Sequence, residues 1–284
     1  MPAVYEWPRL LGDARMTELT DRQKRELEYH VGHAKKNENR LDKPFDWEII
    51  ENPRRRWWNA HWQMYTYLMS CDLKNKNILV VGCGFGEDAL NLARLGANVS
   101  AFDLSPDSLE IAKGLAVREG LNIDFRQMPA EKLQYPDSQF DYVLARDILH
   151  HVDIPPAIDE VVRVSKPGAL FVVNEIYSHS FTDKIRRSAL VEKIVYPAML
   201  RFIYGSNKPY ITEDERKLSE TDVRIIRKPL CQAEFFRYFN FIVTRLLPDR
   251  IRVFAKLDQM LLRVLGPMGF WVAGRVMFSA RINK

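Results

Sequence analysis

Cysteine is scarce in this chain: Cys71, Cys83 and Cys231 are the three among 284 residues. Three scattered thiols exclude a disulfide framework and a thiolate zinc cluster, and they suit a reducing, cytosolic setting. Long apolar runs are missing as well. The longest late stretch, residues 264–274, holds 11 residues between Arg263 and Arg275, whereas a spanning helix needs about 20, so no transmembrane segment is expected. The opening residues, MPAVYEWPRLLGDARM, lack a basic region followed by an apolar one, and no secretory signal is read there. Internal repeats and low-complexity tracts are absent too. What is there is an ordinary globular composition, 46% hydrophobic and 28% charged. It excludes a disordered tail, a collagen-like fibre and a coiled-coil rod, and the length allows one elaborated domain or two small ones.

The net charge of +5 conceals an asymmetry. Residues 1–180 carry 22 Lys and Arg against 27 Asp and Glu, and residues 181–284 carry 20 against 10. A strongly basic last third points to an anionic surface or substrate, or else to a set of solvated helix faces.

The middle of the chain is the most regular. Residues 77–81, Asn-Ile-Leu-Val-Val, are a short branched apolar run ended by glycine, as expected of a buried parallel strand. Residues 87–95 read as a helix stopped at Gly96, and residues 98–102 as a second strand ending on Asp103. Ser105 and Pro106 supply an N-cap and a proline at the first helical position, for a helix that Gly120 ends. Strands are expected at 123–127, 140–145 and 169–175, with a helix from Asp153 through Ser165 and a Lys166-Pro167-Gly168 turn between the last two. Strands alternating with helices predict an α/β fold with a mostly parallel sheet, helices on both faces, and a ligand crevice at the carboxyl ends of the strands. Residues 1–70 are helical in pattern and rich in aromatics, and residues 235–239 and 270–280 read as two late strands.

Gly82, Gly84 and Gly86 form a G-x-G-x-G loop directly between the first strand and its helix. Glycines there let the backbone turn sharply and approach a ligand closely. Asp103, 17 residues after Gly86, ends the next strand, where a carboxylate can take both hydroxyls of a ribose. A dinucleotide site usually spaces its glycines G-x-G-x-x-G, and position 87 here is Glu87.

Six stretches in order then resemble a known family: residues 79–88 (LVVGCGFGED), 101–106 (AFDLSP), 130–133 (AEKL), 136–141 (PDSQFD), 149–152 (LHHV) and 163–168 (RVSKPG). They are similar to the successive motifs of class I S-adenosylmethionine-dependent methyltransferases, nearest to the group that includes ubiquinone/menaquinone-type and small-molecule enzymes. The resemblance covers roughly residues 72–180. It implies a Rossmann-like core around a seven-stranded, mostly parallel sheet, with an N-terminal helical lid and a helical cap insertion. S-adenosyl-L-methionine is the implied cofactor and S-adenosyl-L-homocysteine its product. Gly82, Cys83, Gly84 and Gly86 would line the methionine and ribose portion, Asp103 the ribose hydroxyls, and Leu104 the adenine face. The backbone around Ala130 would meet the adenine edge, and Ala145 and Arg146 the methionine moiety. Relatives often carry an aspartate where this chain has Pro129, so adenine recognition there falls to backbone groups or another side chain.

Methyl transfer from a sulfonium is an in-line displacement, for which an enzyme aligns two reactants and excludes water. A general base is needed only when the nucleophile must lose a proton. His150 and His151 after the fourth strand, and Glu175 on the fifth, are the candidates; a purely structural role for the Leu-His-His stretch stands beside that reading. Asp147, Asn174 and Glu175 sit at strand ends that oxygen-ligated magnesium would use, but their positions do not match that chemistry and no metal is expected. Cys83 reads as a packed residue, with no basic partner to make it a nucleophile.

The resemblance extends to acceptor-site material. Residues 28–30, Glu-Tyr-His, resemble an N-terminal motif that folds over the cofactor, which makes Tyr29 and His30 acceptor-side candidates beside Tyr177 and His179. Residues 210–218 resemble a threonine-x-aspartate-glutamate stretch of natural-product, surface-polysaccharide and lipid methyltransferases, where it caps the acceptor pocket through a residue such as Glu215. The same residues read equally well as first-turn acids for a helix beginning near Ser219. Trp62 and its aromatic neighbours suit either a pocket wall or, on spacing, a helix packed on the sheet. Arg54 to Arg56, Arg186-Arg187 and Arg227-Lys228 suit an anionic acceptor or an anionic membrane, and the mixed apolar and basic residues 257–278 suit peripheral membrane contact.

The expected organisation is a lid over residues 1–70, a cofactor-binding core over 71–180, a helical cap over 181–233 and sheet-completing strands over 234–284. The expected activity is methyl transfer to a small-molecule or lipid-like acceptor, natural-product or isoprenoid in kind, at oxygen, with no nucleic-acid partner. Open beside it are C-methylation of an isoprenoid or aromatic natural product, with or without cyclisation, and a cofactor-binding protein without turnover. RNA modification is prompted by the basic last third, but no amino-methylation motif or RNA-binding module accompanies it.

Overall fold

Seven strands pair side by side: β1 (Asn77–Val81), β2 (Asn98–Asp103), β3 (Ile123–Gln127), β4 (Phe140–Arg146), β5 (Ser165–Ile176), β6 (Leu230–Phe239) and β7 (Arg275–Ile282). Their order across the sheet is 3-2-1-4-5-7-6. The first five run parallel, and β7 enters antiparallel between β5 and β6. The computed structural model describes residues 19–186, 188, 191, 216–244, 247–249 and 251–284. Its principal helices are α1 (Asp21–Asn37), α2 (Ala60–Leu68), α3 (Glu87–Arg94), α4 (Pro106–Arg118), α5 (Ile154–Val164), α6 (Ser180–Arg186), α7 (Glu220–Arg227) and α8 (Arg252–Leu265). No helix among the described residues is long and apolar enough to cross a membrane.

The branched runs alternate between two cores, because successive strand side chains point to opposite faces. Leu79, Val81, Val143, Ala145, Phe171 and Val173 face α5, whose Ala157, Ile158 and Val161 cover them. Ile78, Val80, Leu144 and Val172 face the other way, under Met64, Tyr65 and Leu68 of α2 and Ala89 and Leu92 of α3. Asp141 pins the amino ends of three strands: its carboxylate accepts the Asn77 amide at 2.9 Å and the Lys166 ammonium at 2.7 Å. The strand order reverses between β1 and β4, which opens a crevice at their carboxyl ends.

Local signals placed most boundaries. Thr20 and Gln23 cap α1 reciprocally, and Ser105 accepts the Ser108 amide ahead of Pro106 at the first turn of α4. Three elements differ from the sequence reading. Strand β5 begins at Ser165, with Gly168 at φ 73° carrying the chain through a register shift against Phe140 and Tyr142. The late strands are β6, beginning already at Leu230, and β7, which starts at Arg275 because residues 266–271 form a 3-10 turn. Between them stands α8, whose apolar residues recur at helical and not strand period. About half of the anticipated cap at 181–233 lies outside the described residues; the described part holds α6, α7 with Ser219 as its N-cap, and the start of β6 at Leu230, which belongs to the sheet. Glu215 lies outside the described residues.

Candidate active site

The loop after β1 presents backbone to the crevice. Gly82 and Gly84 sit at φ 60° and 51°, the left-handed region that side chains resist. A Cβ on Gly82 would fall 2.4 Å from the Ile148 side chain, whereas one on Gly84 would meet nothing within 4 Å, since that residue borders open space. Gly82→Ala is therefore expected to displace Ile148 and to lower both the melting temperature and S-adenosylhomocysteine affinity, read by thermal melting and calorimetry. The Cys83 amide donates to the Phe102 carbonyl at 2.8 Å and ties the loop to β2. Gly86 packs against Ala112 behind the crevice.

Asp103 ends β2 facing this loop. One of its oxygens accepts the Gly84 amide at 2.8 Å and the other the Ser105 amide at 2.9 Å. Two backbone donors thus fix the carboxylate, and Asp103 lines the crevice. Leu104, Met128, Pro129 and Ala130 continue the wall, enclosing a cavity of about 410 Å³ together with residues of α1 and of the loop after β4.

Helix α1 forms the roof. Arg22 donates to the carbonyls of His150 and Val152 at 2.9 and 3.2 Å, and Gln23 donates to Glu131 at 3.0 Å. Glu131 also accepts the Asp153 amide at 2.9 Å. Glu26 and His30, one turn apart on α1, both line the cavity, and Glu26 Oε1 lies 3.2 Å from His151 Nδ1. Burial opposes charge on Glu26, yet His151, with His30 and Arg22 behind it, holds its carboxyl below the usual value. Burial pushes His30 down, with neighbouring His151 adding to the effect and Asp103 and Glu26 opposing it.

The loop after β4 closes the third side with Asp147, Ile148, His150 and His151. Glu175 is fully buried behind it and organises it: one oxygen accepts the amides of Ile148 and Leu149, both at 2.7 Å, and the other meets His150 Nδ1 at 2.7 Å. Asp147, at φ 55°, pairs with Arg275 of β7 at 2.7 Å, and Arg275 also donates to the Asn174 side chain at 3.0 Å.

The structure therefore brings together Gly82, Gly84, Asp103, Leu104, Pro129, Ala130, His150, His151 and His30 around one cavity. Other candidates stand apart from its lining. Ala145 is buried within β4, and Cys83 packs against the opposite core, its thiol pushed well up by burial. Arg146 is drawn beneath the loop to Asp88 at 2.6 Å, where Asp88 also accepts the Tyr65 hydroxyl at 2.7 Å. Burial works against ionised Asp88, but Arg146 and then His61 keep its carboxyl far below the usual range. Glu175, wholly buried and outside the cavity lining, supports the site from behind through two amides and His150. Trp62 belongs to α2 and the opposite core, beside a separate groove with Arg40 and Arg55. Tyr177 is buried against Tyr238, and His179 lies tilted against Trp271, ring centroids 4.2 Å apart. Nothing is described of the Tyr29 side chain. The residues that sequence reasoning missed are Gln23, Glu26 and Arg275. The i, i+4 spacing of Glu26 and His30 was a usable signal, but nothing local marked Arg275.

A 3-2-1-4-5-7-6 sheet with one antiparallel insertion, a glycine loop after β1 and a fixed acid at the end of β2 define the class I, S-adenosylmethionine-dependent methyltransferase fold. Comparison with known proteins agrees: residues 79–173 match the methyltransferase domain family. The core of this chain, over residues 79–173, is thus similar to methyltransferase domains.

The ubiquinone biosynthesis O-methyltransferase of Methylocella silvestris is 40% identical over 99 residues, 34% of this chain and 39% of that protein. The norajmaline N-methyltransferase of Rauvolfia serpentina is 36% identical over 110 residues, 37% of each. The match thus spans about two fifths of the length of these relatives. Among solved structures, the 4+2 cyclase SpnF aligns with a TM-score of 0.57 at 23% identity, over 93% of this chain and 96% of that one. An S-adenosylmethionine-dependent methyltransferase from Mesorhizobium loti aligns at 0.50 and 18% identity, over 78% of this chain and 97% of that one. These structures share the fold.

The cavity suits the donor of this class. Open space at Gly84, where a Cβ would meet no atom, gives the loop backbone room to approach a ligand, and the Asp103 carboxylate is already oriented by two amides. Gly82, Gly84 and Asp103 would hold the methionine and ribose portions, and Leu104, Pro129 and Ala130 the adenine.

Proposed function

We propose that this protein transfers a methyl group to a hydroxyl of a small-molecule or lipid-like acceptor. The observation that carries this reading is the Glu26–His151 pair inside the cavity that Gly84 and Asp103 line. S-adenosylmethionine, when bound, supplies the electrophilic methyl on its sulfonium. An oxygen nucleophile must give up a proton, and a nitrogen acceptor that arrives with its lone pair need not. With Nδ1 turned to the Glu26 carboxylate, His151 presents Nε2 as the basic atom, and Glu26 steadies the imidazolium that forms on taking the proton. His150 is fixed in the same way by Glu175 and packs 4.0 Å from the His151 ring.

The wall beside His151 is apolar through Ile148, Val152 and Ile176, which suits an aromatic or lipid-like acceptor. An anionic acceptor has less support. Arg275, the arginine among the described lining residues, is already paired with Asp147, and Arg55 lies instead on Glu48 and the Trp58 ring. Helix α1, bonded to both the His150–Val152 loop and Glu131, excludes water over the reacting groups.

His151→Ala is expected to lower kcat by about 10²- to 10⁴-fold, with donor affinity unchanged. Glu26→Gln keeps the shape and the hydrogen bond but removes the charge, so a smaller loss in kcat is expected with an unchanged KM for the donor. Steady-state kinetics on a phenolic or lipid-like hydroxyl acceptor, with calorimetry for S-adenosylhomocysteine, checks both. Full kcat in His151→Ala would rule out the base assignment.

A further inference from the structure

Helix α8 divides its faces in an uncommon way. Its one acid, Asp258, is buried and accepts the amides of Ile242 and Val243 at 2.6 and 3.1 Å. Its solvent side therefore holds no negative charge. At 3.6 residues per turn, Arg252, Lys256 and Arg263 fall in one arc of about 40°. Val253, Leu257, Met260 and Val264 fall in the neighbouring arc, about 60° wide. Those apolar side chains are exposed: Val253 by 70%, Met260 by 54% and Val264 by 80%. The surface continues through exposed Met268 and Trp271 on the turn after α8, and on to Phe181 of α6, whose ring lies 6.0 Å from Trp271. Arg252 and Lys256 lie over the Trp57 ring at 5.6 and 5.5 Å.

A soluble surface normally intersperses both signs of charge, and contiguous exposed apolar patches mark contact sites. We propose that α8, with the 266–271 turn and α6, lies on an anionic lipid surface. The apolar stripe enters the acyl boundary, Arg252, Lys256 and Arg263 meet the phosphates, and Trp271 sits at headgroup level. Charge complementarity selects this occupant. The stripe is purely cationic and belongs to a last third with 20 basic against 10 acidic residues. A second copy of the chain on the same face would press two cationic stripes together. The patch also adjoins the cavity along the chain, since Trp271 precedes Arg275 by four residues and Ile176 precedes Phe181 by five, and both Arg275 and Ile176 line the cavity. Delivery of a lipid-like acceptor from the membrane rests on the methyl-transfer reading; docking itself does not.

The test is flotation of the full chain with vesicles of phosphatidylcholine, with and without phosphatidylglycerol. Binding is expected only to the anionic vesicles and is expected to fall with added salt. Lys256→Ala and Arg263→Ala should each weaken it roughly 5-fold, and Val264→Glu about tenfold or more. All three should keep the wild-type melting temperature and S-adenosylhomocysteine affinity, as their side chains are exposed. No binding to anionic vesicles, or undiminished binding in all three variants, overturns the proposal. So does a dimer in analytical ultracentrifugation that Val264→Glu dissociates, which would give the face to a second copy. Failure here with intact S-adenosylhomocysteine binding removes docking alone, whereas wild-type protein that binds vesicles but not S-adenosylhomocysteine removes the methyl-transfer reading alone.

Discussion

Asp103→Ala is expected to weaken S-adenosylhomocysteine binding by about 10²- to 10⁴-fold, because hydrogen bonds to a charged group are worth roughly 1.5–3 kcal/mol each and a ribose offers two. The carboxylate also has a structural duty. Its oxygens accept the Gly84 and Ser105 amides, so alanine leaves two backbone donors without their partner and loosens the loop that borders the cavity. Asp103→Asn separates the two effects. It retains one acceptor oxygen and the side chain's shape, but presents an amide where Gly84 or Ser105 donates. An intermediate loss of affinity with a smaller drop in melting temperature is expected. Titration calorimetry and thermal melting on the three proteins measure this, and unchanged affinity in Asp103→Ala would falsify the ribose assignment.

Asp88→Ala is expected to cost about 3–5 kcal/mol of stability, the usual penalty for removing one partner of a buried ion pair. The value should fall near the lower end, since Arg146 keeps longer contacts at 3.6 Å to both Glu87 and Asp147. The Tyr65 hydroxyl, wholly buried, loses its acceptor in the same change. The Asp88 carboxyl is held well below its usual value in the folded protein, so its contribution is fully present above the ordinary aspartate range, around pH 4. It is lost as pH falls through the depressed folded-state value. Urea unfolding at a series of pH values should therefore show the wild type losing its advantage over Asp88→Ala on acidification. A constant difference between the two proteins down to strongly acidic pH would contradict the linkage.

The glycine loop and Asp103 were legible because they answer to local rules. A left-handed turn after an apolar run and an acid at the end of the next strand are each written in a few consecutive residues. Ser105-Pro106 and Gly120 likewise marked helix ends through chemistry within one turn, whereas Asp153 stands at an N-cap without a side-chain hydrogen bond to it. The basic chemistry of the site was visible in part, as His150 and His151. Which partners they take was not. His151 meets Glu26 across 125 positions, and His150 meets Glu175 across 25. The same gap explains Arg146 and Glu175, which carry suggestive charges at suitable strand ends yet serve Asp88 and the loop amides. A titratable residue near a crevice is identified by its neighbours, and neighbours from other elements leave no trace in local sequence.

The C-terminal region shows this limit from the other side. Residues 252–265 carry a helical period, but that pattern does not say which arc faces the core. Packing decided it, by burying Asp258 against the amides after β6 and leaving the apolar and cationic stripes outward. By itself, then, the sequence determined the sheet's parallel half, the glycine turn and the acid beside it, because steric and hydrogen-bonding rules act there over one or two turns of chain. Only the tertiary structure decided that α1 roofs the cavity, that β7 brings Arg275 to Asp147, and which carboxylate serves which histidine. Those contacts join segments far apart in the chain, and their energy exists only once the sheet has brought them within a few ångströms.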